Sequence, residues 1–388
     1  MPETSATRLG LAGGVCTLLG VGLARFAYTP LIPALVEADW FSPHAAAYLG
    51  AINLLGYLIG AATAHRATLV WGVHTVLAAC LAITVASLYA CAREWGVLWY
   101  GFWRLACGIT GAMLVVVGVP AALSRVPLKA RAYTSSLVFT GIGLGIMASG
   151  TVVPWLAGVG VAVTWLALAL VASVLAGWAW LAVLGRLPPL ERSTREDHID
   201  ARLPTLALCL VIAAYSLDAM GFVPHTLFWV DYIARELGEG LATGSGYWVV
   251  FGLGAMCGPV VAGTLAARLR FQPSLALALT VKTIAVCLPV LSTDWPALAL
   301  SSFLVGMLVP GVVTLTSGTL STLVAPERQQ QVWGWATLGF ALTQAVAAYG
   351  MSWGYEQLGS YRPLFTIAAV ALAMASISAI AAVRQASR

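Results

Sequence analysis

Apolar residues fall in long unbroken runs along this chain, with polar residues confined to short gaps between them. The runs are about twenty residues or longer, rather than about ten with strict alternation. That is the pattern of membrane-spanning helices and not of barrel strands. It predicts spans at about 9–36, 46–64, 69–90, 95–123, 132–154, 160–184, 204–233, 243–266, 273–291, 295–323, 329–353 and 361–383. One gap is different. Residues 185–203, GRLPPLERSTREDHIDARL, hold four Arg, two Glu and two Asp besides Pro188 and Pro189. This linker divides the chain into two bundles of six spans, 1–184 and 204–388.

Composition agrees. Of the 388 residues, 60% are hydrophobic and 9% charged, where a soluble domain carries about 25% charged. Mean hydropathy is +0.89. In lipid the backbone must satisfy its own hydrogen bonds, so an all-α polytopic fold is expected, with the bilayer as its partner. The first apolar run, after Arg8, is long enough to be a span and not a cleaved signal. The net charge of +5 does not point to nucleic acid, because the basic residues sit in short loops. Fourteen Lys and Arg collect on one side of the predicted spans and only Arg93, Arg235 and Arg362 on the other. The positive-inside rule then places both termini and the linker in the cytoplasm. The seven cysteines show no metal spacing, and all but Cys91 lie in apolar runs, so they are expected to be packing residues.

The halves echo one another. Arg131 to Thr140 and Arg328 to Thr337 are both nine residues, and Gly56 to Arg66 and Gly258 to Arg268 are both ten. Repeated halves with a site at their interface are a transporter device. Six-plus-six helices with cytoplasmic ends resemble the major facilitator superfamily. The stretch Gly22-Leu23-Ala24-Arg25-Phe26-Ala27-Tyr28-Thr29-Pro30 resembles the first-helix signature of its YbfB/YjiJ-type members, and Ala47-Tyr48-Leu49-Gly50 through Gly56-Tyr57-Leu58-Ile59-Gly60-Ala61 resembles their second helix. Arg104 with Gly108 and Gly111 resembles the basic fourth-helix motif of proton-linked facilitators, and Gly141, Gly150 and Pro154 match part of the antiporter fifth-helix motif. Ala64-His65-Arg66 and Ala266-Ala267-Arg268 lack the Asp that the superfamily places in its loop motif. The resemblance implies alternating access in a multi-pass protein of the bacterial inner membrane, working as a monomer on a proton gradient without a bound cofactor.

A charge inside a span must be paired or face water. Arg25 in span one and Asp218 in span seven lie at similar predicted depth on helices that line the cavity in this superfamily, so a direct or water-bridged pair is expected. Asp218, Phe222, His225 and Trp229 recur at intervals of 4, 3 and 4 and share one helical face, with Gly221 and Pro224 favouring a kink. A carboxylate, an imidazole and an indole there suit a polar substrate and a proton; the plainer reading is a structural partner for Arg25 and a packed histidine. Arg104 either binds carbonyls of neighbouring helices or tunes a proton or anion site. Lys282, in a span that is peripheral in this superfamily, is expected to snorkel or to be buried against span eight. Glu37, Asp39 and Asp231 are expected on the solvated rim. Tyr28, Asn53, Tyr57, Thr140, Thr316, Ser317, Thr337 and Gln344 are further polar candidates. Trp40, Trp95, Trp155, Trp295 and Trp353 suit an aromatic belt, while Trp229, Trp248, Trp333 and Trp335 are candidates for an aromatic cavity wall.

These features predict a proton-coupled secondary transporter of a small organic solute, anionic or zwitterionic. A polytopic membrane enzyme is disfavoured, because the histidines (His44, His65, His74, His198, His225) are dispersed and no nucleophile–base spacing or phosphate loop is present. The alternatives are a proton antiporter exporting amphipathic toxic compounds, and a non-transporting sensor.

Overall fold

The computed structural model describes residues 6–186, 206–325 and 328–386, without the side chains of Leu128, Lys129, Arg131, Ala132, Gln330 and Ala386. Residues 187–203 of the expected linker lie outside the described residues. Among those described, ten helices are long and apolar enough to cross a membrane. One of them, Pro43–Ala90, contains a break at Gly72, whose φ of 77° and ψ of 155° are not helical. A further helix, Gln329–Leu358, has the length of a span but more polar residues. Counting the two parts of Pro43–Ala90 separately, the arrangement is consistent with twelve crossings. They are α1 (Ala6–Glu37), α2 (43–71), α3 (73–90), α4 (Gly96–Leu123), α5 (Leu128–Ala157), α6 (Val161–Ala182), α7 (Leu206–Glu236), α8 (Gly240–Leu269), α9 (Phe271–Leu291), α10 (Trp295–Leu323), α11 (Gln329–Leu358) and α12 (Arg362–Ala386).

Local sequence explains the ends. Ser42 caps α2 by accepting from the Ala45 N–H at 3.2 Å, with Pro43 at the first helical position. Gly359 ends α11 in the left-handed conformation that glycine tolerates. Residues 18–26 of α1 and 224–228 of α7 form wide, π-type turns. Such turns often mark functional segments.

The internal repeat is written in backbone contacts. A Cβ added at Gly108 would lie 2.1 Å from the Asn53 carbonyl oxygen, and one at Gly306 would lie 2.1 Å from that of Phe251. Gly56 against Leu105 O (2.3 Å) is matched by Gly254 against Phe303 O (2.2 Å), and Gly60 against Ile109 O (2.2 Å) by Gly258 against Met307 O (2.2 Å). The α2–α3 junction residue Gly72 (φ 77°) is matched by the α8–α9 junction residue Arg270 (φ 69°). Every pair is offset by 198 residues. The spacing from Gly56 and Gly258 to the following arginines implied an offset four residues larger, so that alignment is one helical turn out of register. Close glycine contacts let α2 pack on α4, and α8 on α10, at backbone distance, which is how helices associate where lipid is as apolar as leucine.

The bundles meet along α2 with α11, α5 with α8, and the second half of α1 with α7 and α8. The contacts gather on the side of the molecule opposite Ala6. There the Tyr48 hydroxyl donates to Glu356 at 2.8 Å, His44 lies 5.6 Å from the Tyr355 ring, and the Thr29 hydroxyl donates to the Thr226 carbonyl. Trp248 donates to Ser149 at 3.2 Å and meets Phe26 edge-on.

Replacing Gly108 or Gly306 by Ala forces backbone apart and is expected to cost about 1–3 kcal/mol or more. In a thermal melt of the detergent-purified protein each variant should lose several degrees or fail to purify as a single species. Gly177→Ala, with nothing within 4 Å of the added carbon, should melt like the parent.

Candidate functional site

Burial along the two central helices shows where the molecule is open. Residues 26–35 of α1 and 221–234 of α7 are all buried. Nearer the side where both helices begin, α1 exposes Leu11 (44%) and partly exposes Leu18 and Arg25, at seven-residue intervals. In the same half, α7 exposes Leu206, Cys209 and Ala213 and partly exposes Ser216 and Met220. α4, α5 and α6 cover the remaining faces of α1, so the stripe faces the gap between the bundles. The gap is therefore closed beyond Arg25 and open below it, with Arg25 at its inner end.

Among the described residues Arg25 has no anionic partner. Its Nη2 is buried and makes no hydrogen bond. Its guanidinium lies 5.0 Å from the centre of the Phe26 ring and 5.8 Å from that of Tyr57. The direct pair with Asp218 does not form. Asp218 instead accepts from the Lys282 ammonium of α9 at 2.7 Å, with both residues fully buried. The reason is register. The Thr29–Thr226 contact levels Arg25 with Phe222, which leaves Asp218 a turn, about 5–6 Å, further along the axis.

Asp218, Phe222, His225 and Trp229 do share one face, as their spacing requires, but that face looks into its own bundle. Lys282 sits 4.4 Å over the Phe222 ring. His225 Nε2 is 2.8 Å from the Ser301 hydroxyl, and Trp229 Nε1 donates to Ser302 at 2.7 Å. Ser301 gives its proton to the Ala285 carbonyl at 2.7 Å, so Nε2 must be the protonated imidazole nitrogen and donate to Ser301. Nδ1 is then a buried acceptor without a partner. Lys282 neither snorkels nor packs alone; it is the charge that neutralises Asp218. A signal for it existed in the sequence. Lys282 stands eleven residues into α9 and Asp218 twelve into α7, and the two helices start from the same side, so opposite charges occupy equal depths.

The cation on α4 is held by a backbone carbonyl, and its Nε is buried without a hydrogen bond. Arg104 is 1% exposed, donates from Nη1 to the Ala24 carbonyl at 2.7 Å, and lies 4.2 Å over the Tyr28 ring. Asn53 donates to the Arg104 carbonyl at 3.0 Å, and the Tyr28 hydroxyl to the Ala46 carbonyl at 2.9 Å. Of the two open readings, the carbonyl-bound one describes this geometry. Arg25, Arg104, Asn53 and Thr226 line a cavity of about 10 Å³, room for roughly a single water. The residue equivalent to Arg104 under the 198-residue offset is Ser302. At this position one half therefore presents a guanidinium where the other presents a hydroxyl, and Arg25 is matched by Val223.

The remaining candidates divide. Tyr57 is partly exposed beside Arg25, and Thr316 and Gln344 are buried with an unpartnered Oγ1 and Nε2. Trp333 stacks on Tyr215 at 5.9 Å, whereas Trp335 is 48% exposed and turned away from that stack. Trp248 packs between Phe26 and Phe251. Trp95, Trp155, Trp295 and Trp353 are exposed as belt residues should be. Asp231 is not a rim residue. It is fully buried, paired with Arg235 and bonded by the Tyr361 hydroxyl. Tyr361 stacks on Tyr355 at 4.0 Å, which joins this network to the far-side closure.

Comparisons with known proteins agree with this architecture. A family model described as "Uncharacterised MFS-type transporter YbfB" matches residues 17–380. No individually curated protein sequence matches the chain. Among solved structures, the crystal structure of a D-xylose–proton symporter superposes with a TM-score of 0.73, covering 96% of each chain at 15% identity. That similarity speaks to the fold.

A buried ion pair reveals itself when one partner is removed, at about 3–5 kcal/mol. Lys282→Met and Asp218→Asn should each melt well below the parent, and the double variant should recover much of the loss. Arg25→Met combined with Asp218→Asn should be additive, as expected for groups that do not touch.

Proposed function

This chain belongs to the YbfB-type family of major facilitator superfamily transporters, and from that membership we propose that it moves a small anionic or zwitterionic organic solute by proton-coupled alternating access. As a family member it is a multi-pass membrane protein and a secondary transporter, not an enzyme. The observation that carries the substrate charge is the unpartnered guanidinium of Arg25 at the inner end of the gap. A cation at membrane depth must be paired or face water. Lys282 occupies Asp218, so Arg25 faces the gap without a protein carboxylate, and an anionic cargo supplies its counter-charge. With the termini in the cytoplasm of a bacterial inner membrane, the gap opens to the cytoplasm.

Coupling falls to Asp218, which is the one carboxylate in the middle of the bundle among the described residues. Its Oδ1 holds Lys282 and its Oδ2 has no partner. A proton there cancels the charge that binds α7 to α9. Two turns further along, α7 carries the Thr226 carbonyl that ties it to α1. Gly221 and the wide turns at 224–228 lie between, where the helix can bend. Loosening α7 from α9 thus acts on the far-side closure. A ligand can shift this balance only by binding one state better than the other, and an anion bridging Arg25 to the opposite bundle does that.

Proteoliposomes provide the test. A pH gradient should drive accumulation of an anionic solute that stabilises the purified protein. Asp218→Asn should abolish the gradient-driven component but retain solute exchange, and Arg25→Ala should abolish both. Wild-type accumulation in Asp218→Asn would remove the carboxylate from the coupling. Wild-type flux in Arg25→Ala would remove the anion site.

A further inference from the structure

Arg25 does not stand in a polar chamber. Its guanidinium is flanked by Phe26 and Tyr57 on its own side of the gap. Across the gap, Phe222 of α7, level with Arg25, lies 5.8 Å from the Phe340 ring of α11, and Tyr215 stands on the same helix. Tyr215 belongs to a layered stack. Its ring centre is 4.5 Å from that of Phe340 and 5.9 Å from that of Trp333, both at 28° between planes. Tyr215 is buried, whereas Phe340 and Trp333 keep part of their surface open. On α11 the positions 333, 337, 340 and 344 fall on one helical face. Two of them supply aromatic rings. The others, Thr337 and Gln344, each have a buried polar atom without a partner.

From these observations we propose that the cargo is an aromatic carboxylate. This inference rests on the anion-transport reading and narrows it. The carboxylate pairs with Arg25, whose planar fork matches two oxygens at once. The ring lies against Phe340 and Trp333, extending a stack that already runs parallel through Tyr215. Offset stacking favours a flat π-system over a saturated ring of similar volume. The amide of Gln344 offers a donor to a polar ring substituent. Such a ligand touches α1 in one bundle and α11 in the other, so binding draws the two bundles together across the gap. Neither half alone supplies both the charge and the stack. Aliphatic acids satisfy Arg25 but leave the aromatic wall wet, and neutral arenes fill the wall but leave the guanidinium unpaired.

Thermal shift and equilibrium binding on the full-length purified protein test this with benzoate, phenylacetate, 4-hydroxybenzoate, cyclohexanecarboxylate, acetate, benzamide and benzylamine. At least one of the three aromatic acids should stabilise the protein. Cyclohexanecarboxylate should bind roughly three- to tenfold more weakly than benzoate, and acetate, benzamide and benzylamine weaker still. Phe340→Leu should erase the advantage of benzoate over cyclohexanecarboxylate while leaving carboxylate binding in place. Arg25→Lys should weaken all acids at least tenfold with an unchanged melting temperature. Equal affinity for cyclohexanecarboxylate and benzoate overturns the aromatic class and leaves the anion reading standing. Binding of benzamide or benzylamine that is indifferent to Arg25→Lys overturns both. Failure of all three aromatic acids to bind overturns the aromatic proposal.

Discussion

A carboxylate and an ammonium 2.7 Å apart, both without solvent exposure, hold the middle of the second bundle. Taking either ion out of water alone costs several kcal/mol, and only the partner's field and added hydrogen bonds offset that. The pairing of Asp218 with Lys282 decides the rest of the electrostatics. It neutralises the carboxylate that Arg25 would otherwise take, and it leaves Arg25 as a charge in search of a counter-ion at the end of an open gap. It also fixes the angular position of α7. With Asp218 turned to α9, His225 and Trp229 turn to the serines of α10, and Tyr215 stacks on α11.

The two bundles share a skeleton but not a lining. The glycine-to-carbonyl contacts repeat at a constant offset of 198 residues, down to the unusual backbone conformation shared by Gly72 and Arg270. Arg270 adopts without strain relief a conformation that glycine takes freely, so the junction geometry is imposed by the helices it joins. On this common frame the first bundle carries Arg25 and Arg104, and the second carries the Tyr215, Phe340 and Trp333 stack. Charge on one wall faces aromatic surface on the other. The far side is closed, tied by Tyr48 to Glu356 and by Thr29 to Thr226, and the near side is open; in the proposed mechanism these are the two ends of one rocking motion.

Much of the architecture was legible in the sequence because hydropathy reports burial in lipid directly. The helical runs and the shared face of Asp218, Phe222, His225 and Trp229 reappear in the structure, and the resemblance to YbfB-type helices is matched by the family model over residues 17–380. What periodicity cannot say is which neighbour a face meets. The face of α7 points into its own bundle, and the partner of Asp218 comes from α9 because charge pairing depends on depth and azimuth together. Glycine spacing also misaligned the repeat by one turn, since glycines recur along both partners of each close pair. Asp231 looked like a rim residue by position, yet Arg235 and Tyr361 bury it. Arg235 stands only four residues away, a spacing the sequence shows, but Tyr361 is remote, and hydropathy does not record the burial it brings.

The central claim is that anion binding at Arg25 and protonation of Asp218 are linked through α7. Proton uptake measured in weakly buffered solution, as an anion that binds the purified protein is titrated in, tests this directly. The account predicts about one proton taken up per anion bound in the parent, and binding without proton uptake in Asp218→Asn. Uptake that persists in Asp218→Asn, or binding to the parent with no proton at all, would contradict it.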